Sequence, residues 1–393
     1  MGLEERLCLL LARWPLSPQT EAEAQRLLAQ PVAWPRLMKL VRTHEVLPLV
    51  YCSLKSFGFA GVAQPIQREL TDIFRHNAAR NLLLAAELAR VLRVLAEAGV
   101  PATPLKGIPL AERLYGDTAL RVCSDIDLLV PLGHFAAAFQ SLASAGYEAE
   151  FSLPKLVCLT ARYGKDAGLM RQDGAQYYPL QLHAGLIWGG PVERRLSEEI
   201  WSDARATSFL GARAFALSAE WEFLYLAVHA ARHGMFPLKW LVDLDRLCRL
   251  GKVNWEEAKR KARRLGWEEV ITSALSVCQS LLETAVPACF QIEGASDRRR
   301  EAATLRESSH AAIQIPRETL FAIRLLNSPL QKLHFAAIRL FVPTAADCGT
   351  IRLPASLFFL YYALRPLRLA ITVAGRFFSS RNDKRGQSAA ANG

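Results

Sequence analysis

An α+β fold is expected from three features of the chain. Apolar residues recur at helical spacing toward both ends, several short strand-like runs lie between residues 99 and 190, and one of those strands carries two aspartates a single residue apart. Together they predict a small mixed sheet with helices, flanked by helical N- and C-terminal segments.

Residues 1–98 read as the N-terminal helical region, with helical periodicity clearest through Leu82–Leu95 and Gly99 placed as a C-cap. Residues 99–192 read as the α/β core. It opens with a short buried strand over Val100–Leu105, turns at Lys106-Gly107, and continues as a helix to Tyr115-Gly116. The run SDIDLLVP, residues 124–131, supplies the next strand, and His134–Ala145 a second helix. Further strands are expected around Tyr147–Phe151 and over Tyr177–Ile187. Residues 193–285 read as helical again, punctuated by Pro237 and Gly251; 286–316 read as a linker, 317–378 as an apolar C-terminal helical region, and 379–393 as a disordered tail.

Composition narrows the class. The chain's 393 residues suffice for two or three packed units, and 51% hydrophobic with 22% charged residues is a globular balance. Net charge is 48 − 37 = +11, which favours anionic partners. Much of the excess sits in helices and in the tail (Arg298, Arg299, Arg300, Arg376, Arg381, Lys384, Arg385), where solvated surface explains it. Aromatic residues do not interleave with these charges in a nucleic-acid-binding pattern. The eight cysteines form no CxxC pair, as expected of reduced thiols in a cytoplasmic protein. The start MGLEERLCLLLARWP does not read as a secretory signal, and Arg6 breaks the myristoylation pattern.

The paired acids carry the chemistry. Side chains at i and i+2 of a strand share a face, so Ile126 and Leu128 are expected in the core with Asp125 and Asp127 projecting outward together. Two like charges held side by side call for an opposite one, and a divalent cation is the obvious partner. Magnesium binds one or two carboxylates at about 2.0–2.1 Å and completes its octahedron with waters and substrate phosphates. An isolated DxD is usually a solvated strand edge; here the flanks argue otherwise. Gly107 lets the backbone come close to a phosphate, the helix after it offers N-terminal amides, and Lys106 and Arg121 are candidates for charge-assisted contacts to phosphate oxygens, with Arg121 alternatively orienting the loop by pairing with an acid there or simply exposed.

These residues also resemble a known family. Leu105-Lys106-Gly107, Leu114-Tyr115-Gly116-Asp117, Arg121 with the SDIDLLVP run, and Ala145-Gly146-Tyr147 look like the uncharacterised bacterial nucleotidyltransferases, a branch of the polymerase-beta-like nucleotidyltransferase superfamily. His44 through Leu49, His229 through His233 with Lys239-Trp240 and Asp243, and Phe341-Val342-Pro343 with Asp347, Leu353-Pro354 and Tyr361 through Arg368 resemble its outlying signatures. The resemblance implies a polymerase-beta-like core that binds a nucleoside triphosphate, ATP among them, with magnesium. An acceptor of undetermined identity attacks the α-phosphorus and pyrophosphate leaves. It further implies that Asp125 and Asp127 hold the metal and that Gly107 lies against the triphosphate.

One departure stands out. The superfamily usually carries a third carboxylate on a later strand, expected two residues before a histidine; in Pro179-Leu180-Gln181-Leu182-His183 that position is Gln181. An amide can offer a metal its oxygen but cannot accept a proton, and general-base assistance is worth about 10²–10⁴-fold. Three accounts stay open: His183 substitutes as base, Asp166 or Asp173 reaches in, or the fold persists as a catalytically silent nucleotide-binding or scaffolding protein.

Other motifs resolve into packing. His229 and His233 are spaced i, i+4 as zinc ligands are, but no HExxH and no nearby third ligand accompany them, so packing or substrate contact is the better reading. Trp221 and Trp240 read as interface aromatics. No GxxxxGK[ST], GxGxxG or GxSxG occurs. In the C-terminal region Leu353–Leu364 is only 12 residues long before Arg365-Pro366, against the ~20 that a span requires. A helix packed on the core is expected there, with peripheral membrane contact through an amphipathic C-terminal helix as the alternative.

Overall fold

A computed structural model describes residues 1–149, 166–186, 194–291, 323 and 329–372. The N-terminal region is helical throughout: α1 (Leu3–Leu11), α2 (Pro18–Leu28), α3 (Trp34–Thr43), α4 (Leu47–Ser56) and the long α5 (Gln64–Glu97). Gly99, at φ +69°, ends α5 as its C-cap position predicts. The core follows with β1 (Thr103–Pro104), α6 (Ile108–Tyr115), β2 (Ile126–Leu129), α7 (Phe135–Ser144), β3 (Glu148–Ala149), β4 (Ala167–Asp173) and β5 (Gln176–His183). These strands form one mixed sheet ordered β1-β2-β5-β4-β3, in which β2 and β5 run parallel and the other neighbours antiparallel.

The two faces of the sheet differ because its strands alternate. Ile126 and Leu128 of β2, with Leu180 and Leu182 of β5, point into an apolar layer shared with α5 and α7. Glu87 of α5 pins that layer to the sheet's outer edge by accepting hydrogen bonds from Tyr147 (2.7 Å) and Arg171 (2.8 Å). The opposite face carries Asp127, Gln181 and His183, so the pleat that fills the core also gathers the polar residues.

The region expected to be wholly helical from residue 193 contains a hairpin. After α8 (Arg194–Asp203) come β6 (Arg205–Phe209) and β7 (Ala212–Ala216), joined by Leu210 and Gly211 at φ +46° and +76°. Positive φ at both turn residues suits the twist of a two-residue hairpin. Phe215 donates its amide to Ala102 (2.9 Å), which docks the hairpin beside β1. Helices then resume as expected: α9 (Ala219–Arg232), α10 (Lys239–Arg249), α11 (Trp255–Leu265) and α12 (Glu268–Leu282). Their buried Phe223, Leu241 and Leu275 share one core with Leu7, Leu37 and Leu54 from the N-terminal helices. The two helical regions therefore close around a common apolar centre instead of packing separately.

At the C-terminal end the described residues form α13 (Pro329–Phe341), α14 (Ala345–Thr350), a 3₁₀ segment over Ala355–Leu360, and helical residues 361–372. The expected linker falls on residues mostly outside the described set, and the expected tail lies wholly outside it. No helix among the described residues is long and apolar enough to cross a membrane.

Candidate active site

The site is assembled by three short-range geometries. Leu105 donates its amide to the Asp127 carbonyl (3.0 Å), which sets the end of β1 against the middle of β2 and brings Lys106 beside the acids. Gly107 then turns the chain at φ +78°, ψ −133°, a conformation open to glycine, and starts α6. In parallel register, Asp127 pairs with Gln181 and Leu129 with His183, so the polar side chains of two central strands sit together.

Both carboxylates converge on a single cation. Lys106 forms an ion pair with Asp127 and another with Asp125 at 3.4 Å, while Ser124 donates to Asp125 (3.1 Å). The expected outward pair is thus unequal. Asp125, just ahead of β2, is partly exposed, whereas Asp127 lies in a strand buried on both faces and is 4% exposed. Burial raises the pKa of Asp127, but the Lys106 charge and a hydrogen bond from His183 outweigh it and hold the carboxyl well below the usual range.

His183 bridges two acids. Its Nε2 faces Asp127 Oδ1 at 3.1 Å, and its Nδ1 faces Asp166 Oδ1 at 2.6 Å. Burial works against charge on the ring, yet the Asp166 and Asp127 carboxylates lift His183 to about 9. With both nitrogens donating, this imidazole has no lone pair to offer an incoming proton. Asp166 stands immediately before β4, whose Ala167 pairs with Leu182, and so reaches the site through His183. Asp173 does not: it closes the hairpin opposite Gln176 and pairs with Arg171. The Gln181 amide lies over Gly168 on the neighbouring strand, beside Asp127.

Arg121 is placed elsewhere. It is 4% exposed and spends its guanidinium on Asp243, donating from Nη2 at 2.8 Å and from Nε at 3.0 Å. Tyr115 adds a third bond to Asp243 (2.8 Å), and Lys239 donates to the Val122 carbonyl (3.1 Å). The arginine therefore braces the loop ahead of the acids and presents no free fork to a phosphate. Sequence reasoning did not identify this partner, since Asp243 lies 122 positions away.

Residues 30–283 match the profile of a protein family described as uncharacterised nucleotidyltransferase. The chain belongs to that family. No curated protein and no solved structure matches it. Membership gives this nucleotidyltransferase its class of chemistry, and the α+β architecture, a small mixed sheet with helical flanks, agrees with it.

Gly107 is the turn that follows Lys106 and starts α6 in this nucleotidyltransferase. A methyl group there would meet only the Asp125 carbonyl, at an ordinary 3.6 Å, so backbone strain and not crowding decides the outcome. Gly107→Ala is expected to cost about 1–3 kcal/mol of stability. Thermal unfolding measures it, and an unchanged Tm would show that the turn tolerates a side chain.

Proposed function

We propose that the protein transfers a nucleotidyl group from a nucleoside triphosphate to an acceptor, with magnesium held by Asp125 and Asp127. The observation that carries this reading is the convergence of both carboxylates on one cation, the Lys106 ammonium, beside the Gly107 turn. That ammonium stands where two negative charges already gather, and a divalent ion is drawn to the same place. The donor set fits magnesium. Among the described residues no three His, Cys, Asp or Glu side chains form a complete metal cage. Magnesium characteristically takes one or two carboxylates and leaves the rest of its shell to water and phosphate, and the Gln181 amide oxygen is a further donor. When bound, the ion neutralises charge on the triphosphate oxygens and orients them for in-line displacement.

In that displacement an acceptor oxygen or nitrogen bonds to the α-phosphorus as the bond to the bridging oxygen breaks. Pyrophosphate leaves with that electron pair, and the acceptor's proton passes to solvent or a base. Asp127 keeps its charge and orientation because His183, itself held by Asp166, pins one of its oxygens. Lys106, beside the acids, would meet phosphate oxygens when Asp125 and Asp127 hold the metal. Gly107 and the first turn of α6 allow the triphosphate to approach backbone amides. Gln181 supports a second reading, in which the fold binds nucleotide without transferring it.

Incubation with labelled nucleoside triphosphates and magnesium tests both. Magnesium-dependent binding with label transfer or pyrophosphate release, lost in Asp125→Asn with Asp127→Asn, supports transfer. Binding without turnover supports the silent reading, and absence of nucleotide binding overturns both.

The C-terminal residues fit an anionic membrane surface. On α13 Phe335 and Ile338 are buried, while Leu330, Leu333, Leu340 and Phe341 form a second, exposed apolar stripe. Phe359, Leu367 and Ile371 are exposed apolar residues as well. In residues 329–372 the one acid, Asp347, is paired internally with Arg365, which is buried, and Arg368, and Lys332, Arg339 and Arg352 are the further cations of the segment. A surface both apolar and cationic is matched by anionic lipid. The full chain is expected to sediment with phosphatidylserine-containing vesicles but not with phosphatidylcholine alone, and Leu333→Glu with Phe359→Glu to release it. No sedimentation, or self-association abolished by the same substitutions, would refute this assignment.

A further inference from the structure

The sheet order β1-β2-β5-β4 divides the surroundings of Asp127 in two. Lys106 and Gly107, at the end of β1, stand on one side of it, and β5 with β4 on the other. In register Asp127 pairs with Gln181, and Gln181 with Gly168, so the three form one row across the face that carries the acids. A side chain at Gly168 would meet the Gln181 amide, its Nε2 at 3.6 Å and its Oε1 at 3.7 Å. These are ordinary contacts, and the Gly168 backbone is not in the left-handed region, so neither crowding nor conformation calls for glycine. Glycine within a strand weakens it and often marks the close approach of a ligand or another backbone. Gly168 is exposed, and Met170, next on the same face of β4, is exposed too. A bare floor thus lies beside Gln181, whose half-buried side chain has no hydrogen-bond partner among the described residues.

The groups described around this floor offer no free base. His183 has Nε2 on Asp127 (3.1 Å) and Nδ1 on Asp166 (2.6 Å), so that ring and the Asp166 carboxylate engage each other. Asp125 and Asp127 face Lys106 and are the carboxylates proposed to hold the metal. Gln181 is an amide, which cannot take a proton. An attacking group that must shed a proton finds no help here, whereas one already ionised needs none. A carboxylate in place of Gln181 would repel such an anion; the amide does not, and its Nε2 can donate to it.

We propose that the acceptor is an oxyanion, a carboxylate or phosphate group ionised at neutral pH, which lies over Gly168 and accepts a hydrogen bond from Gln181 Nε2. This rests on the nucleotidyl-transfer reading, in which the triphosphate runs along Gly107 and α6. In-line displacement then brings the attacking atom from the opposite side, that of β5 and β4. A lone pair of the oxyanion forms the bond to the α-phosphorus, and the bond from that phosphorus to the bridging oxygen breaks. Pyrophosphate leaves with the electron pair, and no proton changes hands. The amide of Gln181 has an oxygen for the metal and a nitrogen for the acceptor, so one side chain serves both neighbours.

The test uses the full chain with magnesium and a nucleoside triphosphate labelled at the α-phosphate, offered inorganic phosphate, acetate or glycerol. Phosphate would yield labelled nucleoside diphosphate, and acetate a mixed anhydride that hydroxylamine traps as the hydroxamate, so the products tell the two anions apart. The wild type is expected to label one or both at least about tenfold faster than glycerol or water. In Gln181→Glu that transfer is expected to fall about tenfold or more, while release of nucleoside monophosphate rises, because the introduced carboxylate repels the anion and takes a proton from water. Gln181→Leu, which removes the donor without adding charge, should slow anion transfer without raising hydrolysis. Calorimetry reads the same losses as affinity when phosphate is titrated into protein saturated with an α,β-methylene triphosphate analogue, and analogue binding by each variant checks its fold. Glycerol labelled as fast as either anion, or anion transfer unchanged in both variants, would overturn the assignment and leave the nucleotidyl-transfer reading in place. A wild-type protein that binds the analogue but labels no probe would overturn it in favour of the silent fold, and one that binds no nucleotide would overturn both readings.

Discussion

Asp127→Asn is expected to lower magnesium-dependent turnover of nucleoside triphosphate by about 10²–10³-fold, the scale seen when one preorganised electrostatic group is removed from a reacting centre. The substitution preserves shape and removes charge. The introduced amide would still lie opposite Gln181 and within reach of His183, so the β2–β5 register has no reason to change. Lost instead are one of the two negative charges that face Lys106 and the better oriented of the two carboxylates proposed to hold the metal. Asp125→Asn should cost less, because Asp125 precedes the strand, is partly exposed, and is braced only by Ser124 and the longer contact to Lys106. Asp166→Asn tests the supporting layer: its carboxylate touches His183, which in turn holds Asp127, and groups that orient a ligand in this way typically contribute about 10–100-fold. The order Asp127, Asp125, Asp166 in pyrophosphate-release rates is therefore the expected result, with magnesium titration as a parallel readout. Full turnover in Asp127→Asn would remove this strand from the chemistry.

What was readable in the sequence was local. The alternation in SDIDLLVP gave the strand, Lys106-Gly107 the turn, and Gly99 the helix end, because each depends on residues within a few positions of one another. The hairpin of β6 and β7 was missed although Ala212–Ala216 alternates buried and exposed residues, since five-residue strands between strong helical segments are easily absorbed into a helical reading. Gln181 was legible as a departure from the expected acid, and Asp166 only as one option among several. What singles Asp166 out is the antiparallel register that sets Ala167 against Leu182 and so brings the residue before it to His183. Arg121 illustrates the remaining difficulty. Its position just before an acidic strand suggested a phosphate contact or a loop-orienting pair with an acid there, while the acid it pairs with stands on a helix more than a hundred residues later. Long-range pairing of that kind leaves no periodic trace.

That buried pair sets the largest expected effect on stability. Asp243 is 0% exposed, and it accepts hydrogen bonds from Arg121 and from Tyr115. The loop it anchors is held from the other side as well: Asn81 donates to the Thr118 carbonyl (2.6 Å) and the Arg121 carbonyl (2.7 Å), and Asn77 to the Ala119 carbonyl (2.8 Å). Lys239 links the same loop to Glu45, and the Lys239 amide donates to the His44 carbonyl (3.1 Å), so N-terminal helix ends, loop and α10 are joined at one point. Asp243→Ala would strand a guanidinium in that interior, with a Cys123 sulfur at 3.6 Å as its remaining side-chain contact there. Breaking a buried ion pair by removing one member typically costs about 3–5 kcal/mol. For a chain of this size that corresponds to a fall in Tm of roughly 4–6 °C. Replacing both members, Arg121→Met with Asp243→Leu, should recover much of the loss, since apolar substitutes avoid the desolvation that the ions incur. Stability and site geometry part company in that double variant: it is expected to unfold near the wild-type temperature yet turn over nucleotide more slowly, because the loop before Asp125 loses the directional bonds that aim it. Thermal unfolding and pyrophosphate release measured on the same preparations decide the point. A single Asp243→Ala variant that unfolds at the wild-type temperature would mean that the Asn77 and Asn81 contacts hold the loop without the ion pair.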